Sequence, residues 1–462
     1  MSATMQAEDL ARVIWDQGRD LVWTEDAVTG SAFVGTGETL LSGAEVDSLL
    51  ESLIVGQQPE GAPADPGLGW TGWLSYEGMR GALGVPGYGE EHGGHRFLHV
   101  LDGVRFTPDS PPRWVVQDSV RGPERERLCA AARQRWAAAL TAFAQTGPAR
   151  SGPVQAGVAQ SGPAPEGPLA GGAQPPSSGK VLWAHTREEY LGAVADAQAA
   201  IVEGEVFVLC LTTRATVAGE WDAFETFLAL REASPTQHLA LLRLGEVSLV
   251  AASPELLLRL DGARRARTHP IKGTRARVPD PELDALEAQA LAADPKERAE
   301  NLMIVDVARN DMSRVCEPGS VRVERLWGVD SYAGLHQLVS EVSGTVEQGV
   351  SVGEVLRSLA PGCSMTGAPK HRAAQLIQDL EPVPRGLYSG CFGTVGPGGT
   401  VELAMAIRCA VMTADAASVG VGGGITSDSV PEREWAEVHL KARLTLGGLR
   451  ASSPVAGNVG AV

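Results

Sequence analysis

Residues 420–442, GVGGGITSDSVPEREWAEVHLKA, combine a glycine cluster, a short polar turn and a charged segment with helical spacing. The polar turn ends at Pro431, which the first turn of a helix tolerates. Beyond it, Glu434, Glu437 and Lys441 recur at spacings of three and four residues, and such positions share one face of a helix. We therefore predict a glycine-rich turn that follows a strand and precedes a helix. Backbone N–H groups in such a turn could hold a carboxylate or phosphate, although a simple tight turn explains the cluster equally well.

A second acidic pair lies in residues 294–311, DPKERAENLMIVDVARND. Glu297 and Glu300 are one helical turn apart, while apolar residues further on supply a buried side. Two carboxylate pairs on two helices, if they face each other, would suit Mg²⁺, which takes oxygen ligands and completes its shell with substrate and water. From spacing alone, two ordinary solvated helix faces remain the alternative.

The C-terminal half mixes clusters of strands with inserted helices. Thr186 and Glu189 have the spacing of a capping box, and an apolar helical period follows as far as Gly204. Strands are predicted over 206–213, 238–244, 247–253 and 401–413, with a hairpin joining the middle two. The other helices are predicted over 281–293, 296–314, 370–379 and 431–446. Because strands and helices do not alternate strictly, we predict an α+β fold with mainly antiparallel sheets.

One stretch of the chain differs in composition from the rest. Residues 146–180 are dominated by Gly, Pro, Ala and Ser, with almost no large apolar side chain to offset the entropy of ordering. We predict a linker there, between an N-terminal domain over 1–145 and a C-terminal domain over 181–450, with a tail over 451–462. In the N-terminal domain, residues 68–78, LGWTGWLSYEG, are typical of strands.

Composition excludes several classes of partner. The 462-residue chain carries 39 Lys and Arg against 56 Asp and Glu, for a net charge of −17. General repulsion argues against nucleic acid or an anionic membrane, and any bound anion needs a local positive pocket. No apolar run approaches the roughly 18 residues of a membrane span, and no secretory signal pattern is present, so we expect a cytoplasmic location. The six cysteines lack C-x-x-C pairs, which predicts free thiols and no zinc site.

The chain has only five lysines: Lys180, Lys272, Lys296, Lys370 and Lys441. Lys272 lies in HPIKGTRAR, residues 269–277, where partial burial and the neighbouring arginines would favour a neutral, nucleophilic amine. Glu255, in SPELLL at the end of a strand, is placed to deliver a proton. Arg408 lies on a predicted strand among apolar neighbours and needs an anionic partner, either a ligand or a buried carboxylate.

These segments together resemble a known family. Residues 185–448 are similar to the chorismate-utilising enzymes, which include the anthranilate, aminodeoxychorismate, isochorismate and salicylate synthases. The matching segments are SPELLL, HPIKGTRAR, DPKERAENLMIVDVARNDMSRVCEPGSVRV, LVSEVSG, PGCSMTGAPKHRA, RGLYSGCFG, AIRCA and GGGITSDSVPEREWAEVHLKA. The N-terminal part resembles the family's first domain mainly in GWTGWLSYEG. The resemblance implies antiparallel sheets packed as a sandwich with helices on the outside.

The resemblance also implies chemistry on chorismate, a dicarboxylate with a pyruvyl ether and a 4-hydroxyl. Mg²⁺ would bind the ring carboxylate and would itself be held by Glu300 and Glu437, with Glu297 and Glu434 beside them. The implied substrate contacts are Gly273, Thr274, His336, Thr366, Tyr388, Arg408, Gly422, Gly423, Gly424 and Lys441. Lys272 and Glu255 are the implied catalytic residues.

Within the family, a few positions favour aminodeoxychorismate synthesis. Lys272 and Thr366 lie in P-I-K-G-T and T-G-A-P-K, where anthranilate synthases typically read P-I-A-G-T and S-G-A-P-K. Val208 stands where isochorismate and salicylate synthases resemble one another in using a lysine base, so activation of water is not expected. Gln337 stands at the family histidine linked to pyruvate loss in anthranilate formation, with His336 one place earlier, and this adds modest weight.

The implied reaction uses a covalent intermediate. Neutral Lys272 would attack C2 of chorismate while Glu255 protonates the departing 4-hydroxyl, and ammonia would then add at C4 and expel the lysine. The chain has no G-x-C-x-G glutaminase motif, so the ammonia implies a separate glutamine amidotransferase subunit. The product would serve folate biosynthesis, through p-aminobenzoate, or a secondary metabolite. Anthranilate synthesis and a non-catalytic chorismate-binding role are the alternatives.

Overall fold

The computed structural model describes residues 3–37, 39–57, 68–85, 94–100, 102–108, 110–116, 180–332 and 334–450. The helices in these ranges are α1 (Ala3–Asp16), α2 (Ala44–Ser52), α3 (Tyr76–Gly81), α4 (Arg187–Val202), α5 (Ala223–Ala233), α6 (Pro281–Ala293), α7 (Pro295–Ser313), α8 (Val352–Leu359), α9 (Lys370–Leu380) and α10 (Pro431–Gly448). Nearly all of the predicted linker, the whole predicted tail and Cys129 lie outside the described residues.

The strands in the described ranges are β1 (Leu21–Asp26), β2 (Ser31–Thr36), β3 (Leu40–Ser42), β4 (Gly69–Leu74), β5 (Arg96–Val100), β6 (Asp102–Thr107), β7 (Ser110–Val116), β8 (Val181–Trp183), β9 (Val208–Ala218), β10 (His238–Leu244), β11 (Val247–Ser253), β12 (Leu256–Leu260), β13 (Arg265–Thr268), β14 (Ile271–Ala276), β15 (Arg322–Ser331), β16 (Leu335–Thr345), β17 (Gly367–Ala368), β18 (Cys391–Val395), β19 (Val401–Met405), β20 (Cys409–Met412) and β21 (Ala416–Ile425).

The strands form two antiparallel sheets. The first has the order β17-β9-β21-β20-β11-β10-β1-β2-β6-β7, with β8 beside β9. The second has the order β14-β16-β13-β12-β19-β18-β4-β5-β3, with β15 beside β16. The N-terminal strand β1 pairs with β10 in the first sheet, and β4 pairs with β18 in the second. The two regions predicted as separate domains therefore share both sheets.

The hairpin β10–β11 shows how the sheets are held together. Successive side chains of a strand point to opposite faces of its sheet. On β10, Leu242 and Leu244 pack into the core between the two sheets, while Leu239 and Leu241 pack into a second core under the helices. That second core contains apolar residues from α1, α4, α5 and α10. The predicted α+β sandwich with outer helices is therefore confirmed.

The predicted helices agree closely with the structure, because their ends carry clear local signals. The capping box of Thr186 and Glu189 is formed at the start of α4. Asp280 and Asp294 accept backbone hydrogen bonds at the starts of α6 and α7, and proline follows each of them. Proline also occupies the first turn of α10. Caps and first-turn prolines fix helix starts locally, so these starts can be read from the sequence.

Three local predictions are wrong. The segment over 401–413 is not one strand, because β19 belongs to the second sheet and β20 to the first. Arg408 lies at the corner between them with a φ of 48°, a left-handed conformation. The glycine cluster around Gly423 is part of strand β21 rather than a turn. Residues 76–78, predicted as strand, begin helix α3 after the capping residue Ser75.

The described part of the chain has two further general features. Its cysteines are free thiols, as predicted: Cys210, Cys316, Cys363, Cys391 and Cys409. No helix within the described ranges has both the length and the apolarity needed to cross a membrane.

Replacement of Leu242 by alanine tests the inter-sheet core. Leu242 is fully buried (0% exposed), and its truncation should lower the free energy of unfolding by about 2–5 kcal/mol, because the lost contacts leave a cavity. Leu182 on β8 of the same sheet is 54% exposed, so Leu182→Ala should change stability by less than about 0.5 kcal/mol. Denaturant titration of both variants measures the difference, and equal losses would contradict the assignment of the core.

Candidate active site

The glycine-rich strand β21 lies directly beside α10. A Cβ atom at Gly423 would stand 3.0 Å from Oε2 of Glu434 and 3.7 Å from Oε1 of Glu437. Lys441 lies one turn beyond Glu437; its ammonium is 2.6 Å from Oε1 of Glu437 and donates to the carbonyl oxygen of Gly422 at 3.0 Å. Because β21 has no side chains here, the carboxylates of α10 reach the backbone of the strand.

The second carboxylate pair approaches from α7. Oε2 of Glu300 lies 3.8 Å from Nζ of Lys272 on β14, and Oε1 lies 3.8 Å from Nζ of Lys296. A Cβ atom at Gly273 would be 3.0 Å from Oε2 of Glu297. Gly273 also has a φ of 88°, so the position needs glycine for its backbone conformation as well as for space.

Two observations connect the acidic pairs of α7 and α10. Burial raises the pKa of Glu434, and the positive charge of Lys296, which also contacts Glu300, acts against that rise. A Cβ atom at Gly424 would lie 3.0 Å from Nζ of Lys272. Lysines from α7 and β14 and the glycines of β21 therefore lie where the two carboxylate pairs approach each other.

The carboxylates provide the kind of ligand that a hard divalent cation prefers. Burial raises the pKa of Glu297, and the adjacent Glu300 carboxylate adds to the rise, so a cation would stabilise both charges. Among the described residues, no three His, Cys, Asp or Glu side chains are close enough to hold a metal ion by themselves. A cation here would need further oxygen ligands from substrate and water, as Mg²⁺ commonly has, and the donor set fits that ion.

Glu255 lies between β11 and β12 and is buried. Ser364 donates a hydrogen bond to its Oε1 at 2.6 Å. Burial raises the pKa of Glu255 to about 7, while the Ser364 hydrogen bond and the charge of Lys272 act in the opposite direction. A carboxyl group with this pKa holds a proton near neutral pH and can donate it, so the predicted role of Glu255 is chemically feasible.

Arg408 lies at the corner between β19 and β20, and Tyr388 lies beside β21. Arg408 forms no ion pair with any described residue, and burial lowers the pKa of its guanidinium group. A largely buried cation without a carboxylate partner is suited to bind an anionic ligand. The ring of Tyr388 packs against Gly420 of β21, where a side chain would collide with it. The position of Tyr388 therefore depends on the absence of a side chain at Gly420.

His336, predicted as a substrate contact, is buried and hydrogen-bonded within the protein. Its side chain is 2% exposed, its Nδ1 pairs with Oγ of Ser331 at 2.8 Å, and its Nε2 pairs with Oδ1 of Asp284 at 3.0 Å. Both ring nitrogens are thus engaged in the packing of α6 against β15 and β16, and the substrate contact of His336 stays a prediction. The hydroxyl of Thr366 is also engaged, since it donates to the carbonyl oxygen of Gly362 at 3.0 Å.

The arginines near Lys272 in sequence do not surround it in space. Arg275 bonds to Glu287 at 3.0 Å, and Arg277 bonds to Asp284 at 2.7 Å, both on α6. The carboxylate paired with Lys272 belongs to α7 instead.

Two further polar side chains lie in the site region. Gln337 pairs with the exposed Thr274 across β16 and β14; it is 2% exposed, and its Oε1 has no hydrogen-bond partner within the described residues. Ser364, the partner of Glu255, follows the Pro-Gly-Cys sequence of the loop before β17. The strand pairing of Gln337 and the hydrogen bond of Ser364 have no sequence signal of their own, because each depends on strands or loops that are distant along the chain.

The comparison with protein families agrees with this geometry. A model described as chorismate binding enzyme matches residues 11–447. The chain belongs to the chorismate binding enzyme family. The solved structure of anthranilate synthase component I from Streptococcus pneumoniae, 24% identical, superposes with a TM-score of 0.69 over 92% of this chain and 90% of that one. That likeness extends the fold of the family over both regions of this chain.

Curated relatives of the chorismate binding chain carry two different names. The aminodeoxychorismate synthase of Streptomyces pristinaespiralis is 36% identical over 417 residues, which cover 90% of this chain and 55% of that protein. The anthranilate synthase component 1 of Thermus thermophilus is 42% identical over 261 residues, which cover 56% of each chain. The chain thus spans about half the length of these relatives.

A pair of glycine substitutions tests the packing of β14 on α7. Gly273 and Gly319 have similar left-handed φ values of 88° and 77°, so alanine should cost about 1–2 kcal/mol of stability at either position. Only Gly273→Ala also crowds Glu297 and Leu291, each 3.0 Å from the added Cβ, which should cost about 1–3 kcal/mol more. Urea denaturation compares them; a Gly319→Ala loss as large as that of Gly273→Ala would contradict the close approach of Glu297.

Proposed function

We propose that the chain acts as component I of an aminodeoxychorismate synthase, converting chorismate and ammonia to 4-amino-4-deoxychorismate. The observation that carries this proposal is the position of Lys272. Its ammonium lies 3.8 Å from Glu300 and borders Gly424, where the two carboxylate pairs approach each other. An anthranilate synthase of the P-I-A-G-T type would have alanine at this position and no nucleophile there.

Lys272 would act at C2 of chorismate, and Glu255 would act at the hydroxyl group on C4. The neutral amine of Lys272 forms a bond to C2 of chorismate, the ring double bonds shift, and the C4–O bond breaks as Glu255 gives its proton to the leaving hydroxyl, which departs as water. Ammonia then forms a bond to C4, the double bonds shift back, the C2–N bond to Lys272 breaks, and the new ammonium group at C4 returns a proton to Glu255. The net change replaces the 4-hydroxyl by an amino group and regenerates the lysine.

The anionic substrate needs positive charge in a chain of net charge −17. Mg²⁺, held by Glu300 and Glu437 with Glu297 and Glu434 beside them, would neutralise the ring carboxylate when bound. Arg408, without a carboxylate partner among the described residues, is suited to the other carboxylate. The amides of the β21 glycines and the nearby Lys441 would complete the binding of the substrate.

Two further features support amination over hydration. Val208 stands beside Gly424, with its Cγ2 3.7 Å from the position of a Cβ there, so an apolar side chain occupies the place of a lysine base. Ammonia would come from a separate glutamine amidotransferase subunit, and added ammonium salt would replace that subunit in an assay. Without a base at the position of Val208, activation of water is not expected, whereas ammonia needs no such base.

Neutral replacement of the principal glutamates tests the cation site. Glu300→Gln or Glu437→Gln should lower kcat/KM for chorismate at least about 100-fold and weaken chorismate binding, because each change removes one negative charge from a site that must hold a cation. Glu432→Gln on the same helix is the control, since Glu432 pairs with Arg187 on the surface. The measurement is the rate of chorismate turnover at limiting Mg²⁺. Wild-type rates in the Glu300 and Glu437 variants would contradict the assignment of these residues to a cation site.

Lys272→Ala tests the nucleophile. The variant should lose formation of 4-amino-4-deoxychorismate, and any remaining ammonia-dependent product should shift toward the C2 adduct or anthranilate, because ammonia can then reach C2 directly. Mass spectrometry of wild-type protein quenched with chorismate in the absence of ammonia should show an adduct on Lys272.

The exposed Lys180 provides the control, and Lys180→Ala should keep both the rate and the adduct. An undiminished rate in Lys272→Ala, with the same product, would leave Lys272 as an electrostatic contact only.

A further inference from the structure

The loop that carries Ser364 is anchored at both ends. This Ser364 loop, residues 360–369, connects α8 to α9. Just after it, Lys370 donates to Oδ2 of Asp311 on α7 at 2.5 Å and to the carbonyl oxygen of Leu359, just before it, at 2.8 Å. One buried ammonium thus holds the start and the end of the loop against the helix that also carries Glu300. The position of Ser364 is therefore set by the same framework as the carboxylates.

The contact between Ser364 and Glu255 engages one of the two oxygens of the carboxyl group. Both side chains are buried, and the hydroxyl of Ser364 donates to Oε1 at 2.6 Å. The backbone of Glu255 is held as well, because its carbonyl oxygen accepts from the amide of Met405 at 2.9 Å. With Ser364 donating to Oε1, Oε2 is the oxygen left free to carry the proton of the neutral carboxyl group.

We propose that Ser364 is a positioning residue for proton donation: its hydroxyl holds Oε1 of Glu255 and thereby presents a protonated Oε2 to the leaving hydroxyl of the substrate. The inference rests on the proposed function, in which Glu255 protonates that group. It assigns a role to a side chain that does not itself touch the reacting atoms. Among the described titratable groups, Lys272 on β14 lowers the pKa of Glu255, and Glu255 contributes to the raised pKa of Cys363 in the Ser364 loop.

The hydrogen bond determines in which direction the pKa of Glu255 changes when the hydroxyl of Ser364 is removed. Burial raises the pKa of Glu255, and the Ser364 hydrogen bond lowers it by stabilising the carboxylate. Loss of the hydroxyl should therefore raise the pKa further, by roughly one unit, so Glu255 stays protonated to higher pH. The pH above which the rate falls (the basic limb of the pH–rate profile) should therefore move upward. The kcat value should also fall, roughly 10- to 100-fold, because the proton of Glu255 is no longer oriented.

The test compares three serine variants in two measurements. Ser364→Ala should lower kcat and move the basic limb upward, and Ser364→Thr, which keeps a hydroxyl, should restore both. Ser358→Ala removes an equally buried hydroxyl that donates to the carbonyl oxygen of Asp311, and it should leave the titration of Glu255 unchanged. Infrared titration of the carboxyl band, assigned with Glu255→Gln, follows the same pKa in the full chain without turnover.

The infrared titration separates this inference from the proposed function. An upward shift in Ser364→Ala, reversed in Ser364→Thr, supports the role of Ser364 even if the product is not 4-amino-4-deoxychorismate. An unchanged carboxyl pKa and an unchanged basic limb in Ser364→Ala overturn it, whatever product is formed. A shift of equal size in Ser358→Ala would also overturn it, because the effect would then reflect general disturbance of the loop.

Discussion

The site depends on one constraint, which is the close approach of charged side chains to the glycines of β21. Glu434 and Glu437 lie at the backbone of Gly423, and Gly424 leaves room for the ammonium of Lys272. Four glutamates in this region repel one another, and partial burial strengthens the repulsion. Lys272, Lys296 and Lys441 offset this repulsion. The glycines are therefore needed because a side chain at either position would crowd these charged groups.

The N-terminal region supports this arrangement through a buried cation. Arg385 bonds to Glu381 at 2.7 Å and donates to the carbonyl oxygens of Met365, at 2.5 Å, and Cys210, at 2.8 Å. Its guanidinium group lies 4.4 Å from the ring centre of Tyr76 in α3. One residue thus joins the Ser364 loop, a strand of the first sheet and the N-terminal region. A buried charge satisfied in this way fixes the relative positions of its partners, since each would be left unpaired by its loss.

Local signals made part of this structure readable from the sequence. The helices α6, α7 and α10 are bounded by aspartate caps or prolines, and the acidic pairs on α7 and α10 keep their predicted faces. The features that could not be predicted from the sequence depend on contacts with residues that are distant along the chain. Arg408 forms a corner only because β19 and β20 enter different sheets, and His336 turns to Asp284 only because α6 packs beside it. Hydrophobic period cannot distinguish a continuous strand from two strands joined at a left-handed residue.

The regiochemistry of amination tests the central claim most directly. Purified chain incubated with chorismate, Mg²⁺ and an ammonium salt needs no amidotransferase subunit, and its product can be identified by mass spectrometry and fluorescence. The account predicts 4-amino-4-deoxychorismate, with nitrogen at C4, because Lys272 occupies C2 during the reaction. Fluorescent anthranilate as the main product would contradict the role of Lys272 and indicate direct attack of ammonia at C2. No consumption of chorismate would contradict an enzymatic role for the site.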